Sequence, residues 1–88
     1  APDARVSLHR IMMESVCRAK APRFGLAREH FIHISELQPP TEIDYRLMIR
    51  AAARSDKPKI ARNWYRRMPK AGINPSQRTL RVLQGIPW

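Results

Sequence analysis

An internal repeat with a period near 35 residues constrains this chain more than any other feature of its sequence. His9 through Pro22 overlays Tyr45 through Pro58 at an offset of 36, which sets Ile11 over Leu47, Met12 over Met48, Met13 over Ile49 and proline over proline. A second segment repeats at an offset of 34, with Leu26 over Ile60, Ala27 over Ala61, Phe31 over Tyr65 and Ile34 over Met68. Each copy reads as two helices. His9, Met12, Met13, Val16 and Cys17 follow the i, i+3, i+4, i+7, i+8 spacing that lines one helical face, and Tyr45, Met48, Ile49, Ala52 and Ala53 repeat it. The stripes Leu26, Ala27, His30, Phe31, Ile34 and Ile60, Ala61, Trp64, Tyr65, Met68 do the same for the second helix of each pair. No stretch alternates with period two, so no sheet is expected.

Breaks fall at Ala21-Pro22, at Gln38-Pro39-Pro40, around Asp56-Lys57-Pro58 and at Gly72-Ile73-Asn74-Pro75, where proline ends helices and glycine supplies a left-handed cap. The chain is therefore expected to be all-α, an α-solenoid of antiparallel hairpins with four helices and a short fifth near Ser76 to Gln84. As one domain over 1–88 it divides into a degenerate repeat at 9–37, a second at 44–76, and the start of a further repeat with a tail at 77–88. Thr41 to Asp44 reads as a capping box and Asp56 as an N-cap of the fourth helix. Pro69, next to Met68, is expected to disturb the last turn before Gly72. Arrays of this kind generally need about three repeats to bury enough surface. The chain is thus expected to lean on a partner or to continue beyond these residues, and its Ala1-Pro2-Asp3 start suggests a processed protein or a piece of a longer one.

Charge then narrows the partner. The 88 residues carry 17 basic and 7 acidic side chains, a formal net charge of +10, with thirteen arginines among the basic set. Up to Tyr45 six basic residues balance six acidic ones; beyond it, eight arginines and three lysines face Asp56 alone, so the whole excess lies in the second half. Such asymmetry points to an anionic partner, most simply nucleic acid, with acidic protein surfaces as the other target. Arg46, Arg50 and Arg54 are spaced i, i+4, i+8 along one predicted helix face, and Arg62, Arg66 and Lys70 form a similar stripe on the next. Two basic rails suit an RNA backbone, since phosphate contacts supply affinity without sequence information; a solvated helical surface is the plainer reading of either stripe alone. No apolar run approaches the roughly 20 residues of a membrane span. Cys17 is the only cysteine, so an internal disulfide framework is excluded.

The segments Tyr45-Arg-Leu-Met-Ile-Arg-Ala, Ala61-Arg-Asn-Trp-Tyr-Arg-Arg-Met68 and Ala71-Gly-Ile-Asn-Pro75-Ser resemble a pentatricopeptide repeat. That family's pattern is Tyr-x-x-Leu-Ile-x-Ala, then Ala-x-x-x-Phe-x-x-Met, then Gly-Ile-x-Pro-Asp, and the likeness runs ungapped over the second unit. Residues 9–37 look like a degenerate copy, and Thr79-Leu80-Arg81-Val82-Leu83 resembles the start of the next. The tetratricopeptide repeat is the nearest competitor, but its proline and glycine placement fits less well. The resemblance implies RNA work in mitochondria or plastids, with first helices lining a groove and about one base addressed per repeat. The family's base-selecting positions correspond here to Arg46 and Ser76, with Arg10 and Arg81 at the first of them in the flanking units. The small polar residue usual at that first position is missing from all three units, and arginine is better suited to phosphate or to stacking than to telling base edges apart. The expected RNA- or partner-binding set is therefore Arg10, Arg46, Arg50, Arg54, Arg62, Arg66, Lys70, Ser76 and Arg81.

Trp64 and Tyr65 fall on the apolar stripe of their helix and are read as core rather than base-stacking platforms. Trp88 is free to stack on a base, dock on a partner or fray. His30 and His33, at i, i+3 with Cys17 as a third ligand, are the only hint of a metal, and His30 overlays core Trp64. No metal or cofactor is expected, and Cys17 reads as a buried thiol rather than a nucleophile. Three function classes remain: an RNA-binding module of an organellar ribonucleoprotein such as the mitochondrial ribosome, a scaffold subunit of a respiratory or photosynthetic complex, and a binder of anionic membranes. The last ranks lowest, because the repeat consumes in its own core the apolar residues that a membrane would need.

Overall fold

Five helices follow one another: α1 (Ala4–Arg18), α2 (Phe24–Leu37), α3 (Glu42–Arg54), α4 (Pro58–Lys70) and α5 (Gln77–Gln84). The computed structural model describes residues 4–20 and 23–86, and among them there is no strand. The expected break at Ala21-Pro22 and the terminal Trp88 lie outside the described residues. The chain is all-α, as the two periodic stripes per unit require. α1 packs against α2 and α3 against α4, while α3 also touches α1, α2 and α5. α3 is thus central, which explains why its Tyr45, Leu47, Met48, Ile49, Ala51 and Ala52 are all buried. The radius of gyration is 12.2 Å, close to the roughly 12 Å of a compact chain of this length.

Three rings fasten the two hairpins together. Phe31 of α2 meets Tyr45 of α3 edge-on at 5.2 Å and Trp64 of α4 at 4.6 Å, with Tyr45 and Trp64 themselves 6.1 Å apart. Such pairs add stabilisation beyond the area they bury. Trp64 is a core residue, as its place on the stripe predicts, and Tyr65 is half-buried against the same core. The guanidinium of Arg67 lies 4.1 Å from the Trp64 ring centroid, a cation–π contact on the outer face of α4.

The helix ends show how the turns are made. Asp44 Oδ2 accepts from the backbone N–H of Thr41 at 2.8 Å and from its hydroxyl at 3.3 Å, which fastens the start of α3. Asp56 departs from expectation: the N-cap of α4 is Lys57, with Pro58 as the first helical residue, and Asp56 instead ends α3. Its φ of 57° is left-handed. The Asp56 N–H bonds the Ala53 carbonyl at 3.2 Å and the Lys57 N–H the Ala52 carbonyl at 2.9 Å, the paired bonds of a Schellman cap. α4 ends the same way: Gly72 has φ 74°, its N–H bonds the Pro69 carbonyl, and the Ile73 N–H bonds the Met68 carbonyl. Pro69 does not stop α4, which continues to Lys70.

α1 differs from its predicted face. It begins at Ala4, and Val6, Met13 and Cys17 are its buried residues. Met12, assigned by periodicity to the apolar stripe, is 42% exposed, and Leu26 on the stripe of α2 is 41% exposed. Both belong to the α1–α2 hairpin, which among the described residues has a neighbouring hairpin on one side only.

Candidate nucleic-acid interface

α1, α3 and α5, the first helices of the three units, enclose a groove of about 380 Å³. Five arginines line it: Arg18 from α1, Arg46 and Arg50 from α3, Arg78 and Arg81 from α5. Glu14 is its one acid, and Leu47 and Val82 are its apolar members. Helical spacing makes the arrangement possible: i, i+4 on α3 and i, i+3 on α5 each bring two long side chains to one face. A guanidinium presents a planar fork of donors that matches paired carboxylate or phosphate oxygens; of the five, Arg18 is paired with Glu14 at 3.2 Å and Arg46 with Glu42 at 3.6 Å.

One carboxylate of α3 ties down the start of α5, whose Leu83, with Ile86 just beyond the helix, is also buried in the core. Glu42 Oε1 accepts from the Ser76 hydroxyl at 2.6 Å, from the Ser76 N–H at 3.2 Å, and from the Thr79 hydroxyl. Its other oxygen lies 3.6 Å from Arg46. Burial pushes the Glu42 carboxyl up, but the bonds from Ser76 and Thr79 and the charge of Arg46 outweigh it and hold the group below its ordinary value. Ser76 also caps α5, accepting from the Thr79 N–H at 3.4 Å.

The expected site residues separate into three groups. Arg46, Arg50 and Arg81 meet in the groove. Arg10 and Ser76 are engaged in internal bonds: Arg10 grips Asp44 with two bonds of 2.7 and 2.9 Å, and Ser76 holds Glu42. Arg54, at the end of α3, donates to the Ala19 carbonyl at 3.0 Å. Arg62, Arg66 and Lys70 all belong to α4, which contributes nothing to the groove lining. The two basic rails therefore do not converge on one groove. Arg18 and Arg78 were missed by sequence reasoning. A signal for Arg18 was present, since the repeat overlay sets Arg10, Glu14 and Arg18 over Arg46, Glu14's counterpart Arg50, and Arg54. Arg78 stands one turn before Arg81.

The histidines and the cysteine take different partners. The Cys17 thiol donates to the Leu47 carbonyl at 3.2 Å, and its burial pushes the thiol pKa up. His30 Nδ1 lies 2.8 Å from His9 Nδ1, and the His33 ring stacks on His9 at 5.0 Å. Burial lowers the His30 pKa, and proximity to His9 and His33 lowers it further. Among the described residues no three His, Cys, Asp or Glu side chains converge in a way that could hold a metal ion. No described helix is long and apolar enough to cross a membrane. No family model, no curated protein and no solved structure matches this chain.

Proposed function

We propose that this is a pentatricopeptide-like helical-repeat protein, a short α-solenoid that binds RNA largely through its phosphate backbone. In this reading it is a non-catalytic, structural component of an organellar ribonucleoprotein such as the mitochondrial ribosome, in mitochondria or plastids. The observation that carries the proposal is the groove itself. Five arginines gather where the first helices of successive units meet, and first helices are the ones that face RNA in the family the sequence resembles. Arginine at the position of Arg46 and Arg81 favours contact with phosphate over discrimination between bases, so weak sequence preference is expected. The second reading, a protein scaffold in a large organellar complex, is favoured by a specific observation: Arg10 and Ser76, two of the family's base-selecting positions, are held in internal bonds.

Salt dependence of binding separates the two. Four or five phosphates released of their counterions give a log–log slope of roughly −3 on single-stranded RNA, at about −0.7 per phosphate. Replacing Arg46, Arg50, Arg78 and Arg81 with glutamine should flatten that slope and remove most of the affinity, while the same change at Arg62, Arg66 and Lys70 should leave the slope nearly intact. RNA affinity that is unaltered in the first variant contradicts the proposal. Absence of RNA binding in the parent, with retention by an acidic protein surface, favours the scaffold.

A further inference from the structure

α4 is unbalanced in charge along its whole length. Its thirteen residues, Pro58–Lys70, include five basic side chains and no acid. Lys59, Arg62, Arg66 and Lys70 fall at i, i+3, i+7, i+11 and share one face, and Lys59, Arg66 and Lys70 are exposed. The arrangement costs the helix stability. Arg62 with Arg66 and Arg66 with Lys70 are like-charged i, i+4 pairs, and Lys57 and Lys59 stand at the N-terminus, where a helix favours anions. α1 and α3 are balanced where α4 is not: Glu14 pairs with Arg18, α3 opens with Glu42 and Asp44, and Glu42 pairs with Arg46. The repeat itself does not require the basic face, since the equivalent positions of α2, 34 residues earlier, are Gly25, Arg28, Ile32 and Glu36. All four are exposed although a complete unit follows α2. This is therefore the outer face of a second helix, which a succeeding repeat does not cover.

We propose that the outer face of α4 is a second site for the phosphate backbone, separate from the groove, through which one chain bridges two segments of RNA. The inference rests on the proposal that the groove holds RNA. α4 takes no part in the groove lining, so the two sites share no residue. Phosphates laid along the stripe would relieve the repulsion that α4 otherwise carries.

Composition selects nucleic acid over the other anionic partners. The apolar side chains of α4 at Ile60, Ala61, Trp64, Tyr65 and Met68 are buried or half-buried, and Arg67 lies 4.1 Å from the Trp64 ring centroid. A membrane surface needs bulky apolar residues and a protein interface an apolar centre, and neither finds one here. Only Pro58 and Ile60 offer apolar contact, in a hollow of about 390 Å³ that they line with Asp56, Lys57 and Lys59. That is room for a base beside two lysines. Interfaces with nucleic acid are polar and positive, as this face is. One helix presents its cations in a line, whereas the groove gathers them from three helices, so the outer site is the weaker and the salt slope of the tight complex belongs to the groove.

A short single-stranded oligouridylate, titrated into the 88-residue chain at low salt and followed by sedimentation, tests the proposal. The parent should take up two oligomers per chain. Replacing Lys59, Arg66 and Lys70 with glutamine should leave one, bound as tightly as before, with an unchanged far-UV circular dichroism spectrum because all three side chains are exposed. Replacing Arg46, Arg50, Arg78 and Arg81 with glutamine should also leave one, bound weakly. A parent that takes up a single oligomer and loses nothing in the α4 variant overturns the outer site while the groove stands, and so does an α4 variant that still takes up two. A groove variant that binds like the parent removes the groove as an RNA site, and the bridge with it. A groove variant that takes up polyglutamate but no oligouridylate gives the outer face to an acidic protein partner and overturns the proposal as well.

Discussion

Replacing Arg10 with glutamine should destabilise the fold far more than removing any groove arginine. The Asp44 carboxylate is fully buried, and Arg10 supplies two of its bonds, at 2.7 and 2.9 Å. In the variant, Asp44 keeps its bonds from Thr41 but loses the opposite charge. Breaking a buried pair from one side costs about 3–5 kcal/mol, because a charge is left uncompensated away from water. The Arg10 side chain is itself 26% exposed, so water reaches part of the vacated space and about 3 kcal/mol is the appropriate end of that range. For a domain of this size that lowers Tm by roughly 12–24 °C. Removing both charges together, with Arg10→Met and Asp44→Leu, should cost only about 1 kcal/mol, chiefly the lost Thr41 cap. Urea melts followed by far-UV circular dichroism give both figures. An Arg10→Gln variant within about 0.5 kcal/mol of the parent, or a double variant as unstable as the single, would refute the reasoning.

Three further outcomes follow from the turns and the titratable groups. Gly72→Ala should cost about 1 kcal/mol and Asp56→Gly should gain about 0.5–1 kcal/mol in chemical melts, because both positions hold left-handed backbone and only one has the residue suited to it. Glu42→Gln should loosen α5 and cost about 1–2 kcal/mol; since the folded carboxyl lies below its ordinary value, the parent keeps this contribution above about pH 4.5 and loses it as pH falls through the folded pKa, a loss that the variant should not show. The His30 pKa is lowered in the folded state, so the unfolded chain takes up the proton first and stability should fall as pH drops below about 6.5; His30→Gln should flatten that part of the stability–pH curve.

The helices were legible because their signals are local. Apolar stripes, the prolines at 39 and 58 and the glycine at 72 each act within a turn or two of chain, and the observed elements begin and end beside them. Asp56 was misread because aspartate suits both a helix start and a left-handed helix end, and the choice is made by which carbonyls lie within reach of Asp56 and Lys57. Arg10 was read as a ligand contact because nothing near it in sequence shows that Asp44, 34 residues away, is buried and waiting for a cation. The same distance hides the role of Ser76, whose partner Glu42 sits on another helix. Charge counting places the basic excess in the second half, yet it could not show that α3 and α5 share a groove whose lining α4 does not join. That depends on how the hairpins stack.

Photo-cross-linking of a 4-thiouridine-substituted single-stranded RNA to the protein, followed by mapping of the modified peptides, tests the central claim most directly. Adducts should concentrate on the α3 and α5 peptides that carry Arg46, Arg50, Arg78 and Arg81, with α1 contributing near Arg18. Adducts confined to the α4 peptide that carries Arg62, Arg66 and Lys70, or no adducts where the same RNA cross-links a known binder, would contradict an RNA-binding groove between the first helices.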